Sequence, residues 1–153
     1  MVAGTSWAKR GTALRKEFWA ALETDRRVWC LTTNRGLMPW EDSWGRVTLP
    51  LWGTEDAATA AATAARLEED FEPGDEEVPS QILLADLPGK LVSWSANEVE
   101  VVFLNPLERR APLTLTLAEF AAELDRRFDL QLPTDTQEAF DELARPGRRP
   151  KLP

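Results

Sequence analysis

The sequence predicts an α+β fold, and three observations lead to this prediction. The chain has 153 residues, of which 43% are hydrophobic, so it is long enough to bury the core of a single domain. Short runs rich in β-branched and aromatic residues predict strands, whereas apolar residues at helical spacing predict helices. The two kinds of segment are mixed without regular alternation, which favours α+β over a parallel α/β architecture.

The first predicted helix covers residues 12–23, because Leu14, Phe18 and Leu22 recur at helical spacing. Residues 1–11 precede it as a flexible segment. Residues 28–33, 37–40 and 47–52 then predict a three-stranded antiparallel meander. Turns at "Asn34-Arg35-Gly36" and at Gly45 separate these strands.

The stretch "LPLWGTEDAATAAATAARLEEDF" predicts a strand that passes directly into a helix. Thr54 is a good N-cap, and Glu55 and Asp56 follow where the helix dipole favours negative charge. One face of this helix is predicted to pack against the sheet and consists of Ala57, Ala60, Ala61, Ala64, Leu67 and Phe71.

The second half of the chain predicts further strands at residues 81–84 and 99–104, with a short helix or irregular turn at 86–94 between them. Thr116 and Glu119 form a capping box that opens a helix. A last short helix is predicted at 135–144, capped by Thr134. The sheet thus packs against about four helices. Residues 12–128 form the predicted domain, and residues 129–153 form an extension that ends in a basic tail.

The absence of histidine limits the possible chemistry more than any other feature. It removes Ser-His-Asp and Cys-His nucleophile pairs and histidine-containing zinc sites. The single cysteine, Cys30, excludes an internal disulfide, which fits a cytoplasmic protein. No stretch reaches the length of a membrane helix, and the N-terminus does not resemble a signal peptide. We therefore expect no catalytic residues, no cofactor and no metal, although an all-carboxylate Mg²⁺ or Ca²⁺ site remains open.

The net charge of −8 opposes general nucleic-acid binding and favours basic partners. Acidic residues are concentrated in one run: Glu68, Glu69, Asp70, Glu72, Asp75, Glu76 and Glu77. Basic residues lie near the two ends: Lys9, Arg10, Arg15 and Lys16, then Arg145, Arg148, Arg149 and Lys151. Folding of a basic segment onto the acidic run is one interpretation, and a solvated charged surface is the other.

Three pieces of the sequence, "VWCLTT…GLMPW", "LPLWGTEDAATAAA" and "VEVVFLNP" followed by "LTLTLAEFAAEL", carry a resemblance to a known family. Together they resemble a family of small bacterial proteins known only as a domain of unknown function. The second piece is also similar to SseB-like domains. The resemblance implies an α+β fold and a bacterial origin, and it brings no catalytic residues with it. The C-terminal residues 129–153 and the long acidic loop depart from the family pattern.

Three other candidate sites are each better explained by a structural role or by ordinary solvent exposure. An anion site at Gly53-Thr54 is disfavoured because Glu55 and Asp56 already supply negative charge. Cys30 is expected to be a buried, inert thiol. The carboxylate pairs, Glu41 with Asp42 and Glu98 with Glu100, are expected to lie on the solvated surface.

The stretch "PWEDSWGR" is the preferred interaction patch, because Trp44 lies in a predicted turn where a polar residue would suffice. Exposed Trp and Arg are typical interface anchors. The alternative is that Trp44 covers the core at a sheet edge. The predicted protein-binding residues are Trp40, Glu41, Asp42, Trp44, Arg46, Glu72, Asp75, Glu76 and Glu77.

The favoured function is a non-enzymatic protein-interaction module, such as an adaptor, a regulator or an immunity-type inhibitor, that binds a basic protein. The first alternative is a small-ligand-binding protein or a carboxylate-based enzyme, with Mg²⁺ or Ca²⁺ as an option. The second is a weak nucleic-acid binder that uses the basic termini. The protein is expected to be a monomer or a homodimer.

Overall fold

The computed structural model describes residues 3–33, 36–37, 40–41, 45–68, 77–106 and 114–148. Within these residues lie five α-helices: α1 (Ala3–Asp25), α2 (Glu55–Glu68), α3 (Leu87–Ala96), α4 (Leu117–Arg127) and α5 (Thr134–Ala144). The strands are β1 (Arg27–Thr33), β2 (Gly36–Leu37), β3 (Trp40–Glu41), β4 (Val47–Leu51), β5 (Val78–Leu83), β6 (Val101–Leu104) and β7 (Thr114–Thr116). A 3₁₀ turn, Arg145–Arg148, follows α5. The predicted α+β class is confirmed.

The strands form two sheets that meet at one point. The first sheet has the order β2-β1-β5 and is antiparallel, whereas the second has the order β3-β4-β6-β7. In the second sheet, β4 and β6 are parallel to each other. The backbones of Trp29 and Trp52 exchange hydrogen bonds of 2.7 and 2.8 Å between the sheets, so the two sheets adjoin through β1 and the end of β4.

The predicted three-stranded meander is wrong. The returning segment at 37–40 is divided into β2, which pairs with β1, and β3, which pairs with β4. β5 takes the other place beside β1, in full antiparallel register. The returning segment contains Pro39, which has no backbone N–H to donate and therefore disfavours a continuous ladder. The turn residues were predicted correctly, since Gly36 and Gly45 both have positive φ, at 103° and 76°.

Helix α1 begins at Ala3, nine residues before the predicted start at Thr12. Residues 3–11 are therefore helical, where we expected an irregular segment. Gly4 and Gly11 lower the local helix propensity and obscure the pattern. Extending an existing helix is much easier than nucleating one, so the packed half of α1, with Phe18 and Leu22 fully buried, explains the extra turns.

Helix α2 starts as predicted, because the Ala57 N–H donates to Thr54 Oγ1 at 3.2 Å. The residues on its buried face, however, differ from the predicted ones. Ala58, Ala61 and Ala62 are buried, while Ala60 is exposed. Alanine lies on nearly every side of this helix, so the sequence alone does not mark the face that packs. The true face contacts Leu31, Trp52 and Phe103 in a small cluster of its own.

The last two helices close the main core. The capping box of Thr116 and Glu119 is confirmed, with both hydrogen bonds at 3.1 Å. In α5, by contrast, Pro133 occupies the cap position and Thr134 is already helical, so the predicted Thr134 cap is wrong. Phe140 and Ala144 are fully buried in the main core. The core therefore continues beyond residue 128, where we expected an extension to begin.

Candidate functional site

A cleft of about 750 Å³ lies between α1 and α4. The cleft is lined by three arginines and three carboxylates, so its charges cancel. Its remaining lining residues are apolar. The lining residues are Arg15, Trp19, Leu115, Glu119, Ala122, Glu123, Asp125, Arg126 and Arg127. A cleft of this size that combines tryptophan with arginines has the composition of an interaction site.

The floor of this cleft is held rigidly by an aromatic cluster. The Trp19 ring lies 5.4 Å from the Phe120 ring and 5.3 Å from the Phe18 ring, the latter at 87°. Phe18 and Phe120 are themselves 6.0 Å apart and fully buried. Such edge-on and tilted contacts add to the burial of the rings. Trp19 is consequently fixed in place, with only 3% of its surface exposed.

Arg127 covers the Trp19 ring from above, and its guanidinium carbon lies 4.7 Å from the ring centroid. The same guanidinium donates from Nε to Glu123 Oε1 at 2.6 Å. Arg126 also donates to Glu123. These hydrogen bonds, chiefly the one from Arg126, lower the pKa of Glu123 below its ordinary 4.5, so the carboxylate is ionised at neutral pH. The result is a cation held between an aromatic face and a carboxylate.

Glu119 also lines the cleft, but its carboxylate serves to cap helix α4. Its carboxylate accepts the Thr116 N–H at 3.1 Å as part of the capping box. This bond fixes the first turn of α4 and with it the direction in which Glu123, four residues later, projects from the helix. Arg15 and Trp19 are likewise four residues apart, on the facing side of α1.

The structure describes four of the nine predicted protein-binding residues, and none of these four lines the cleft. Trp40 and Glu41 form β3, the edge strand of the second sheet. Glu41 pairs with Val47, and half-buried Arg46 directly precedes β4. Glu77 is only 4% exposed and directly precedes β5, so it lacks the surface that a binding residue needs. The remaining five lie outside the described residues: Asp42, Trp44, Glu72, Asp75 and Glu76.

Cys30 is the buried thiol that its position on the strand predicts. It lies in the main core, and its Sγ is 3.5 Å from the Ser80 carbonyl oxygen. Burial raises its pKa to about 11, and the positive charge of Lys90 and a backbone hydrogen bond offset this only partly. The thiol is therefore protonated at neutral pH, which makes it a poor nucleophile.

The junction before α2 is structural. The Gly53 N–H donates to Asn105 Oδ1 at 2.9 Å, and Asn105 Nδ2 donates to the Leu14 carbonyl at 3.2 Å. The indole N–H of Trp52 donates to the Pro106 carbonyl at 2.9 Å. A cavity of about 140 Å³ lies beside these groups. Because the Gly53 N–H is already bonded within the protein, it offers nothing to an anion.

Glu98 and Glu100, which the sequence placed on or beside a strand, both precede β6 and are exposed, so this carboxylate pair is solvated. Among the described residues, no group of three or more histidine, cysteine or acidic residues is arranged to hold a metal ion. No helix in the described ranges combines the length and the apolar character that a membrane crossing requires.

No protein-family model matches the chain, and a search of curated protein sequences finds no match. The resemblance to the bacterial family of unknown function, and to SseB-like domains, stays a prediction.

Arg15 was predicted only as one of several basic residues near one end of the chain, and Trp19, Glu123 and Arg127 were not predicted as site residues. A signal for them exists, since the polar residues of α4 recur at spacings of three and four beside its apolar stripe. This pattern is common to most surface helices. What creates the cleft is the packing of α1 against α4, which local periodicity does not encode.

Proposed function

We propose that the protein is a non-enzymatic protein-interaction module that binds a basic protein partner. Adaptor, regulator and immunity-type inhibitor are the forms that such a module takes. One observation carries the proposal: in the α1–α4 cleft, a rigid tryptophan ring and an ionised carboxylate already hold an arginine side chain. The same combination on a protein surface recognises the arginine or lysine of a partner.

The charge of the whole chain supports a basic partner. At −8, the protein attracts cationic surfaces over a distance and repels nucleic acid. Attraction of this kind raises the rate of encounter more than the final affinity. The specific contacts then have to come from anchors such as Trp19 and Glu123.

The stretch "PWEDSWGR" and the acidic run remain part of this proposal as secondary interaction segments. Trp40 and Glu41 form the edge strand of the second sheet. In the sequence, Glu41 and Asp42 stand close to Trp44, a composition that suits the same kind of partner.

Affinity capture from cells of the native host tests the proposal. Wild-type protein is compared with Glu123→Gln, with Trp44→Ala and with a variant in which Glu72, Asp75 and Glu76 are made neutral. We expect wild type to retain a basic protein, and at least one variant to retain clearly less of it in a repeat with purified components. Equal retention by all variants, or no retained protein, would contradict the proposal.

Small-ligand binding is the second candidate, favoured by the cleft volume, which falls within the usual range for ligand sites. A thermal-shift screen of small cationic and anionic compounds, with and without Mg²⁺ or Ca²⁺, separates the two functions. A compound that raises Tm in wild type but not in Glu123→Gln supports the second candidate. Nucleic-acid binding through the basic termini ranks last because of the net charge.

A further inference from the structure

We propose that Arg127 is an internal placeholder, and that an arginine side chain of the partner replaces it between the Trp19 ring and the Glu123 carboxylate. This inference rests on the proposed function and names the site at which the basic partner is held. It also makes the cleft self-inhibited, because the free protein fills its own binding position.

The position of Arg127 allows its side chain to move out of the cleft. It is the last residue of α4, and the chain turns to an extended conformation at Phe128. Its side chain is 31% exposed, so its contacts with Trp19 and Glu123 are made at the surface. Contacts of this exposed kind are individually weak. A partner side chain that makes the same contacts, together with others around the cleft, can therefore displace it.

The two groups left behind keep their positions. Trp19 is held by Phe18 and Phe120, which do not depend on Arg127. Glu123 lies in the middle of α4 and keeps its bond to Arg126, whose side chain is 67% exposed. The acceptor site is therefore preorganised, which lowers the cost of binding.

The charges around the vacated position favour a cation. Without Arg127, the cleft is lined by Glu119, Glu123 and Asp125 against Arg15 and Arg126. An acidic segment would meet three carboxylates there. It would also approach a protein whose net charge is −8.

The test uses an acetylated, amidated hexa-arginine peptide and follows the full-length protein by ¹H–¹⁵N NMR. Titration is expected to shift the Trp19 indole signal and the amides of residues 122–127. In Arg127→Gln, the peptide should bind about twofold to fivefold more tightly, because the competing side chain is gone. In Glu123→Gln, the shifts at these residues should weaken by a similar factor. Well-dispersed spectra of each variant verify its fold.

Lys90→Gln is the matched control, because it removes one positive charge at an exposed position on α3, outside the cleft. Equal tightening in Lys90→Gln and Arg127→Gln would overturn the inference, since general attraction would then explain both. Hexa-glutamate that shifts the cleft signals in place of hexa-arginine would also overturn it. Hexa-arginine binding confined to other residues would leave the proposed function standing and remove only the placeholder. The absence of any shift with hexa-arginine would count against both.

Discussion

At Gly53, the chain passes so close to α1 that a side chain has no room. A Cβ atom built there would lie 2.8 Å from the Ala21 Cβ and 3.3 Å from the Phe18 carbonyl oxygen. The sequence marks this glycine only as the end of a strand before the Thr54 cap. Its role depends on a helix more than thirty residues earlier in the chain, so local patterns give no sign of it.

Gly53→Ala is therefore expected to lower the free energy of unfolding by about 1–3 kcal/mol, because α1 and the start of α2 must move apart. Urea unfolding followed by far-UV circular dichroism measures this change. Gly89→Ala is the control, since a Cβ there meets nothing within 4 Å and α3 gains a better helix former. It should stabilise the protein by up to about 1 kcal/mol. Equal stabilities for both variants would contradict the close packing at Gly53.

At the scale of single elements, two helix starts that look alike in sequence differ in structure. Thr116 accepts the Glu119 N–H as a true cap of α4, whereas Thr134 lies inside the first turn of α5 and Pro133 occupies its cap position. Both threonines are followed three residues later by Glu or Gln. The sequence pattern is the same, and the backbone that precedes each helix decides which threonine caps.

Thr116→Ala should cost about 0.5–2 kcal/mol of unfolding free energy, because the Glu119 N–H loses its partner. Thr134→Ala should be nearly neutral, because this exposed side chain makes no capping bond. Thermal unfolding of both variants under identical conditions gives the comparison. A larger loss for Thr134→Ala than for Thr116→Ala would reverse the assignment of the caps.

Elements with a distinct local pattern were predictable, and those that depend on pairing were not. The stripe of α4 was correct because Leu117, Phe120 and Leu124 are its apolar residues at the right spacing. The prediction of a three-stranded meander was wrong because strand order depends on pairing between distant segments, such as Leu31 with Pro79. The predicted buried face of α2 was wrong because alanine lies on most sides of the helix, so the sequence shows no periodic difference between an apolar and a polar face. For the same reason the α1–α4 cleft, which joins two distant helices, was not predicted.

At the scale of the whole molecule, the sheets separate two apolar clusters. Along β6, Val102 and Leu104 belong to the main core, whereas Phe103 belongs to the smaller cluster beneath α2. All four residues of this strand are consequently buried, as is usual for a strand that is covered on both faces. The main core includes Phe140 and Ala144 of α5, so α5 packs with the helices and strands that precede it among the described residues.

Phe140→Ala tests whether α5 unfolds together with the rest of the main core. We expect a loss of about 3–5 kcal/mol in the free energy of unfolding, because the ring is fully buried in the main core, where α5 packs against α3 and α4. Leu83→Ala, at a side chain that is 44% exposed, should cost much less. Calorimetry should show one cooperative transition for wild type. A separate low-temperature transition, altered alone by Phe140→Ala, would mean that α5 is an independent extension.

The central claim, that the cleft receives a basic side chain over Trp19, is tested most directly by intermolecular nuclear Overhauser effects. The measurement uses ¹³C,¹⁵N-labelled Arg127→Gln protein and unlabelled hexa-arginine. Cross-peaks are expected between the arginine Cδ protons of the peptide and the ring protons of Trp19. Peptide that binds the protein without any cross-peak to Trp19 would contradict this claim.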